Sequence, residues 1–150
     1  MDDIELQTKK LLQEHWKVEK DNMIFHRNLR RVEGGIQQPN IIICEQTEVD
    51  GWNKDGMAEC LALVVVRTRI PTKGTTNKDV EDAKELKWKM REEVYRILQE
   101  VFSAKIAKPS GWIWSVVTRR QNGDNFDASP PLLGEDLNVT ICYERREGVV

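Results

Sequence analysis

The stretch from Lys78 to Phe102 constrains the fold more than any other part of the chain. At about 100° per residue, Val80, Ala83, Met90, Val94, Ile97, Leu98 and Val101 fall on one stripe, the core-facing stripe of a helix lying on a sheet. Trp88, Tyr95 and Phe102, spaced seven apart, form a second stripe well off the first. A small domain with one sheet rarely has enough surface to bury both. The excess predicts a second partner for the helix, with another copy of the chain as a candidate.

A chain of 150 residues fits one domain, 1–150, and is long enough to bury a core without staples. With 39% hydrophobic and 32% charged residues, it is neither a disordered chain nor a membrane protein by composition. A net charge of −2 argues against a dedicated nucleic-acid binder. The longest apolar run, Cys60 to Val66, is too short to span a bilayer. Met1-Asp2-Asp3 lacks the basic and apolar regions of a signal peptide. Cys44, Cys60 and Cys142 sit in strand-like runs, where a reduced cysteine behaves as a small buried hydrophobe. The expected setting is cytosolic.

Residues 2 to 20 read as an amphipathic helix, with Ile4, Leu11, Leu12 and Trp16 on one face and Asp2, Asp3 and Glu5 at its positive end. Met23 to Phe25 is a short apolar run compatible with a strand. Asn40 to Gln46 reads as a strand, and Asp50 to Gly56 as the loop of a hairpin. The return strand, Met57 to about Ile70, is apolar on both faces. Leu61, Leu63 and Val65 lie on one side, with Cys60, Ala62, Val64 and Val66 on the other, so it is expected to be covered on both.

Thr76 and Asp79 stand at capping-box spacing before the long helix. Trp112 to Val117 alternate as a strand, with Trp112, Trp114 and Val116 on one face, and Asn122-Gly123 signals a turn. A loop from Gln121 to Asp136 is then expected to project from the body. The last strand places Leu137, Val139, Ile141 and Tyr143 on one face. The product is an α+β two-layer domain of order α-β-β-α-β-β. Its four-stranded, mostly antiparallel sheet carries the N-terminal helix and the long helix.

No catalytic signature emerges. Glu45, Glu48, Asp50, Asp55 and Glu59 cluster around a turn, and Gly51 to Gly56 faintly echoes a calcium loop. A glycine stands at its first ligand position and no glutamate at its twelfth, so a solvated hairpin tip is the better reading. Glu85-Leu86-Lys87 has the spelling of a nuclease Glu-x-Lys, but inside a helix rather than on a rigid strand edge. His15 and His26 have no cysteine or serine beside them in a nucleophile motif. The chain is expected to be no enzyme and to need no cofactor or metal.

Arginines gather at strand ends: Arg30-Arg31, Arg67 with Arg69, Arg119-Arg120 and Arg145-Arg146. Either they form a basic rim, or they are solvated charges guarding edges; the second reading is preferred. Of the five tryptophans, Trp16 and one of Trp112 or Trp114 suit a core. Trp52 on the hairpin tip and Trp88 on the second helical stripe are harder to bury. With Tyr95 and Phe102 they are the candidate interface residues.

The layout resembles the tail terminator, or tail-completion, proteins of tailed phages and prophages. The residues that carry this are the N-terminal helix, Pro39-Asn40-Ile41-Ile42-Ile43 opening a strand, and the long hairpin. The Asp79–Ala83 helix start, the run Arg91 to Leu98 and the closing Trp112 and Leu137–Tyr143 strands complete the match. The resemblance implies a structural virion protein that assembles in the host cytoplasm as a ring, typically a hexamer. Its partners would be further copies of itself, the tail tube protein and the head connector or neck protein. DNA would only pass through the lumen, where Arg67, Arg69, Arg119, Arg120, Arg145 and Arg146 are candidate lining residues. The alternatives from other classes are a small metal-dependent hydrolase and a cytosolic protein-binding adaptor.

Overall fold

The computed structural model describes residues 3–27, 39–49, 57–69, 76–127 and 131–144, without the side chains of 45–49, 57–59, 61, 63 and 69. Helix α1 spans Ile4–His15, α2 spans Asn77–Phe102, and the strands are β1 Ile24–Arg27, β2 Asn40–Val49, β3 Met57–Arg69, β4 Trp112–Asn122 and β5 Leu132–Glu144. The strands form one sheet of order β1-β2-β3-β5-β4. β2, β3, β5 and β4 pair antiparallel with their neighbours, while β1 pairs parallel to β2. The architecture is α+β, as expected, but the sheet is mixed and has five strands rather than four. The additional strand is the short run at Ile24–Arg27, whose four residues are too few to show a period.

One face of the sheet carries the core. Ile41, Ile43, Cys60, Ala62, Val64, Val66, Leu137, Val139 and Ile141 fall on the side that faces the helices and are all buried. Met90, Val94 and Ile97 of α2 join the same cluster with Leu11, Leu12 and Trp16 of the N-terminal segment. Ile42 and Val65, on the opposite face, are buried as well. The two-sided burial expected of β3 therefore holds at Val64, Val65 and Val66, while Leu61 and Leu63 lie outside the described side chains.

Asp3 caps α1 by accepting from the Leu6 N–H at 2.7 Å. The helix stops at His15 rather than continuing to residue 20, because Trp16 turns to extended backbone. That turn places the indole in the core, edge-on to Phe25 with ring centroids 5.5 Å apart. α2 opens with the anticipated capping box: Asp79 N–H donates to Thr76 Oγ1, and Thr76 N–H donates to Asp79 Oδ2.

Between the helices Glu93 is buried and accepts from Arg96 Nε at 2.6 Å and from the Lys17 N–H at 2.6 Å. Arg96 also donates to the His15 carbonyl at 2.7 Å and pairs with Glu100 at 2.6 Å. Burial alone would raise the Glu93 carboxyl. The hydrogen bonds from Arg96 and Lys17 outweigh it and hold the group below the ordinary glutamate range.

α2 ends in a Schellman turn: Lys105 N–H bonds to the Glu100 carbonyl and Ala104 N–H to the Val101 carbonyl. Ala104 occupies the left-handed position at φ 62°, where glycine is the unstrained choice. The turn delivers Ile106 into the core and leads the chain to Trp112. The expected loop from Gln121 to Asp136 is much shorter in the structure. β4 continues through Asn122 and β5 begins at Leu132, leaving 123–131 between them. The polar residues Arg119 to Asn122 pair with Leu137 back to Glu135 and Asn138, so their polarity marks an outer strand rather than a loop.

Two outcomes follow from these contacts. Ala104→Gly should stabilise the protein by about 0.5–1 kcal/mol, raising Tm by a few degrees in a thermal melt. Glu93→Gln should cost about 1–3 kcal/mol at neutral pH in urea unfolding. Because the folded carboxyl titrates below the unfolded one, its contribution is complete above the ordinary glutamate range and is lost as pH falls through the folded value. The gap between wild type and Glu93→Gln should therefore close on acidification to below the ordinary glutamate range. A gap that stays constant with pH would show that the charge does not matter.

Candidate functional site

β4 is one of the two edge strands, and α2 packs over the sheet beside it. Among the described residues, six large hydrophobic side chains are exposed: Trp88, Phe102, Ile113, Trp114, Val116 and Phe126. Two stand on α2, three on β4 and one on the loop after β4. β4 runs antiparallel to α2, because Ile113 and Trp114 lie beside Phe102 while Asp124 pairs with Lys87. Phe102 of α2 and Ile113 of β4 meet on the flank where helix and strand run side by side, whereas Trp114 and Val116, opposite Cys142 and Thr140, start from the sheet face away from the helices.

Part of that flank is a groove of about 380 Å³ lined by Tyr95, Leu98, Gln99 and Phe102 of α2 and by Trp114 to Val117 of β4. Phe102, at 76% exposure, and Trp114, at 38%, also border a second hollow with Ile106, Lys108 and Ile113. Aromatic walls on rigid elements give a large contact area with little side-chain entropy to lose on docking.

β4 has two irregularities that decide which side chains reach the surface. Its pairing with β5 slips between Trp112 and Trp114 and again between Val117 and Arg119. The first slip sets Trp112 opposite Tyr143, on the helix side, and Trp114 opposite Cys142, on the other. The simple alternation that places Trp112 and Trp114 on one face is thus corrected by a bulge. Trp112 is buried, its Nε1 donating to Gln7 Oε1 at 3.0 Å, whereas Trp114 is left exposed.

The second helical stripe is divided in the same way. Tyr95 is half-buried and packs against the core, whereas Trp88 is 52% exposed and Phe102 more so. Trp52 lies outside the described residues. Ile113, Val116 and Phe126 are exposed without having been singled out beforehand. For the two on β4 the signal was a run, Trp112 to Val117, that is apolar at every position except Ser115.

The loop end of the flank is held by charge. Lys87 Nζ lies 3.0 Å from Asp124 Oδ1, which also accepts from the Gly134 N–H at 2.9 Å. Burial would raise the Asp124 carboxyl, but these donors hold it below the ordinary aspartate range. Behind them, buried Glu135 takes Arg91 at 3.3 Å and Arg120 at 3.0 Å.

The described arginines do not all share one face. Arg67 and Arg119 stand on the sheet face away from the helices, opposite Gly134 and Asn138, which are about 13 Å apart along β5. Arg120 is on the helix side, paired with Glu135. The backbone of Arg69 pairs with Leu132, and Arg30, Arg31, Arg145 and Arg146 lie outside the described residues.

Catalytic geometry is not assembled among the described residues, and no group of three His, Cys, Asp or Glu there is placed to hold a metal ion. The side chains of Glu45, Glu48, Asp50, Asp55 and Glu59 are outside that description. Lys87 of the Glu-x-Lys spelling is engaged by Asp124. His26 Nε2 is buried without a hydrogen bond, and burial followed by the charge of Lys9 pushes this imidazole below its ordinary pKa. No described helix is long and apolar enough to cross a membrane. No family model matches the chain, and no curated protein matches it in sequence.

The division of the stripe has a measurable consequence. Tyr95→Ala should destabilise the fold by about 1–2 kcal/mol, since it removes partly buried contacts. Phe102→Ser should change stability by no more than about 0.5 kcal/mol in the same urea titration, because little of the ring is buried. Equal losses for the two variants would mean that Phe102 is part of the core after all.

Proposed function

We propose that this chain is a structural assembly protein of the tail-terminator type, forming a ring that closes the end of a phage tail tube and meets the head connector. The observation that carries the assembly reading is the exposed apolar surface around α2 and the edge strand β4, with Trp88 and Phe102 on the helix and Ile113, Trp114 and Val116 on the strand. Exposed aromatic and branched side chains concentrated on one helix and its neighbouring strand mark contact sites. The element layout supports the tail-terminator assignment through its resemblance to that family: an N-terminal helix, a long hairpin, a long capped helix and two closing strands.

On this reading subunits pack through α2 and β4 side chains. The two bulges interrupt β4 as an edge, which disfavours continuation of the sheet from one subunit to the next. Arg67 and Arg119 share the sheet face away from the helices and are the candidates for a lumen lined with positive charge. A lumen of that kind would touch phosphates without reading bases.

The test is binding to isolated tail tubes that lack their terminator, followed by negative-stain imaging. Wild-type protein should cap one end as a ring and stop further tube growth. A Phe102→Ser/Trp114→Ser variant with unchanged circular dichroism should bind at least about tenfold more weakly. Failure of the folded wild-type protein to bind tubes or form rings would rule this function out.

A further inference from the structure

Asn122-Gly123 does not make the two-residue turn that its spelling signals. β4 runs on through Asn122, β5 begins only at Leu132, and Gly123 does not take the left-handed backbone of such a turn. Glycine serves close approach instead, since a Cβ at 123 would come within 3.3 Å of Asp136 Oδ1. The other property of this dipeptide is chemical.

In an asparagine followed by glycine, the glycine nitrogen can attack the side-chain amide, because no Cβ on the second residue hinders the approach. An N–Cγ bond forms and the Cγ–Nδ2 bond breaks. The proton of the attacking nitrogen passes through water to Nδ2, which leaves as ammonia. Water then opens the five-membered imide at either carbonyl, giving an aspartate or a β-linked isoaspartate. The sequence is redox-neutral and consumes only water. Asn122 is exposed, and no other asparagine of the chain precedes a glycine.

The fold restrains both reacting groups. The Gly123 N–H donates to the Gly134 carbonyl at 2.9 Å, so its proton is committed to β5. Asp124 clamps the amide: Asn122 Oδ1 accepts from the Asp124 N–H at 2.7 Å, and Asn122 Nδ2 donates to Asp124 Oδ2 at 3.2 Å. Asp124 is itself fixed by Lys87 Nζ of α2 at 3.0 Å and by the Gly134 N–H at 2.9 Å. For the imide to close, the Gly123–Gly134 bond must break and the Asn122 side chain must leave its clamp. Both follow when this end of the β4–β5 pairing opens, a local event that costs less than global unfolding.

We propose that Asn122 is a site of spontaneous deamidation and that the Asp124 clamp sets its rate, so that conversion follows opening at the end of the β4–β5 pair. The product alters the clamp that controlled it. A carboxylate at position 122 loses the donor to Asp124 and adds a negative charge beside it. Glu135 and Asp136 stand on the neighbouring strand, with Lys87, Arg91 and Arg120 as the opposing cations. The isoaspartate also lengthens the backbone by one methylene and disturbs the pairing of residue 122 with Glu135. Conversion is one-way and loosens the tie between α2 and the β4–β5 end. It is independent of what the protein assembles with.

The test is incubation of the full chain at mildly alkaline pH, with peptide mapping by mass spectrometry to follow amide-to-acid conversion. Asn125 and Asn138, which precede larger residues, are internal controls. In guanidinium chloride that unfolds the chain, Asn122 should convert several-fold faster than in the folded protein, because the rate follows the open population. Asp124→Ala should raise the rate in the folded protein several-fold with circular dichroism unchanged. Lys87→Ala, which removes only the tie to α2, should raise it less and serves where Asp124→Ala fails to fold. Gly123→Ala should suppress conversion in folded and unfolded chain alike. In aged wild type the Gly134 amide should exchange its hydrogen faster than in fresh protein. An Asn122 that stays an amide in the unfolded chain overturns the site. Equal rates in folded and unfolded wild type, or folded clamp variants no faster than wild type, overturn the control by Asp124.

Discussion

The placement of α2 determines everything on its outer side, and burial of Met90, Val94 and Ile97 over the β3–β5 centre of the sheet determines α2. Removing any one of these side chains would cost about 2–5 kcal/mol, because each is wholly enclosed. An apolar stripe alone leaves the helix free to roll, so the rotation needs charges on either side. On the inner side Glu93 and Arg96 fasten α2 to the end of α1. On the outer side Arg91 and Lys87 reach Glu135 and Asp124. With rotation set from both sides, Tyr95 and Phe102 are directed over β4.

Much of this was legible from spacing. The buried stripe of α2, its capping box, the inward face of β5 and the two-sided burial of β3 all follow from periods of 3.6 and 2. Illegible features were those set by long-range pairing. Four residues at Ile24–Arg27 make a strand only because β2 lies parallel beside them. Gln121 and Asn122 read as loop because an edge strand needs no apolar face on its outer side. α1 ends early because burying Trp16 against Phe25 outweighs continuing a helical pattern.

The site was half legible for the same reason. Seven-residue spacing found the line through Trp88, Tyr95 and Phe102, and helix geometry keeps them on one side. It could not say that Tyr95 would be drawn partly into the core, since that depends on where β4 passes. Nor could alternation reveal that a bulge separates Trp112 from Trp114. One extra residue inverts the faces that follow it, so the bulge decides that Trp112 is the one of the two tryptophans that enters the core.

The bulges also explain how an edge strand can be this apolar and remain safe. An open edge rich in tryptophan and valine is a template for uncontrolled strand pairing. Interrupting the register at Trp112/Trp114 and Val117/Arg119 removes the run of evenly spaced backbone groups that such pairing requires, yet leaves the side chains in place. The apolar side chains stay at the surface, while an arbitrary extended chain no longer meets a regular ladder.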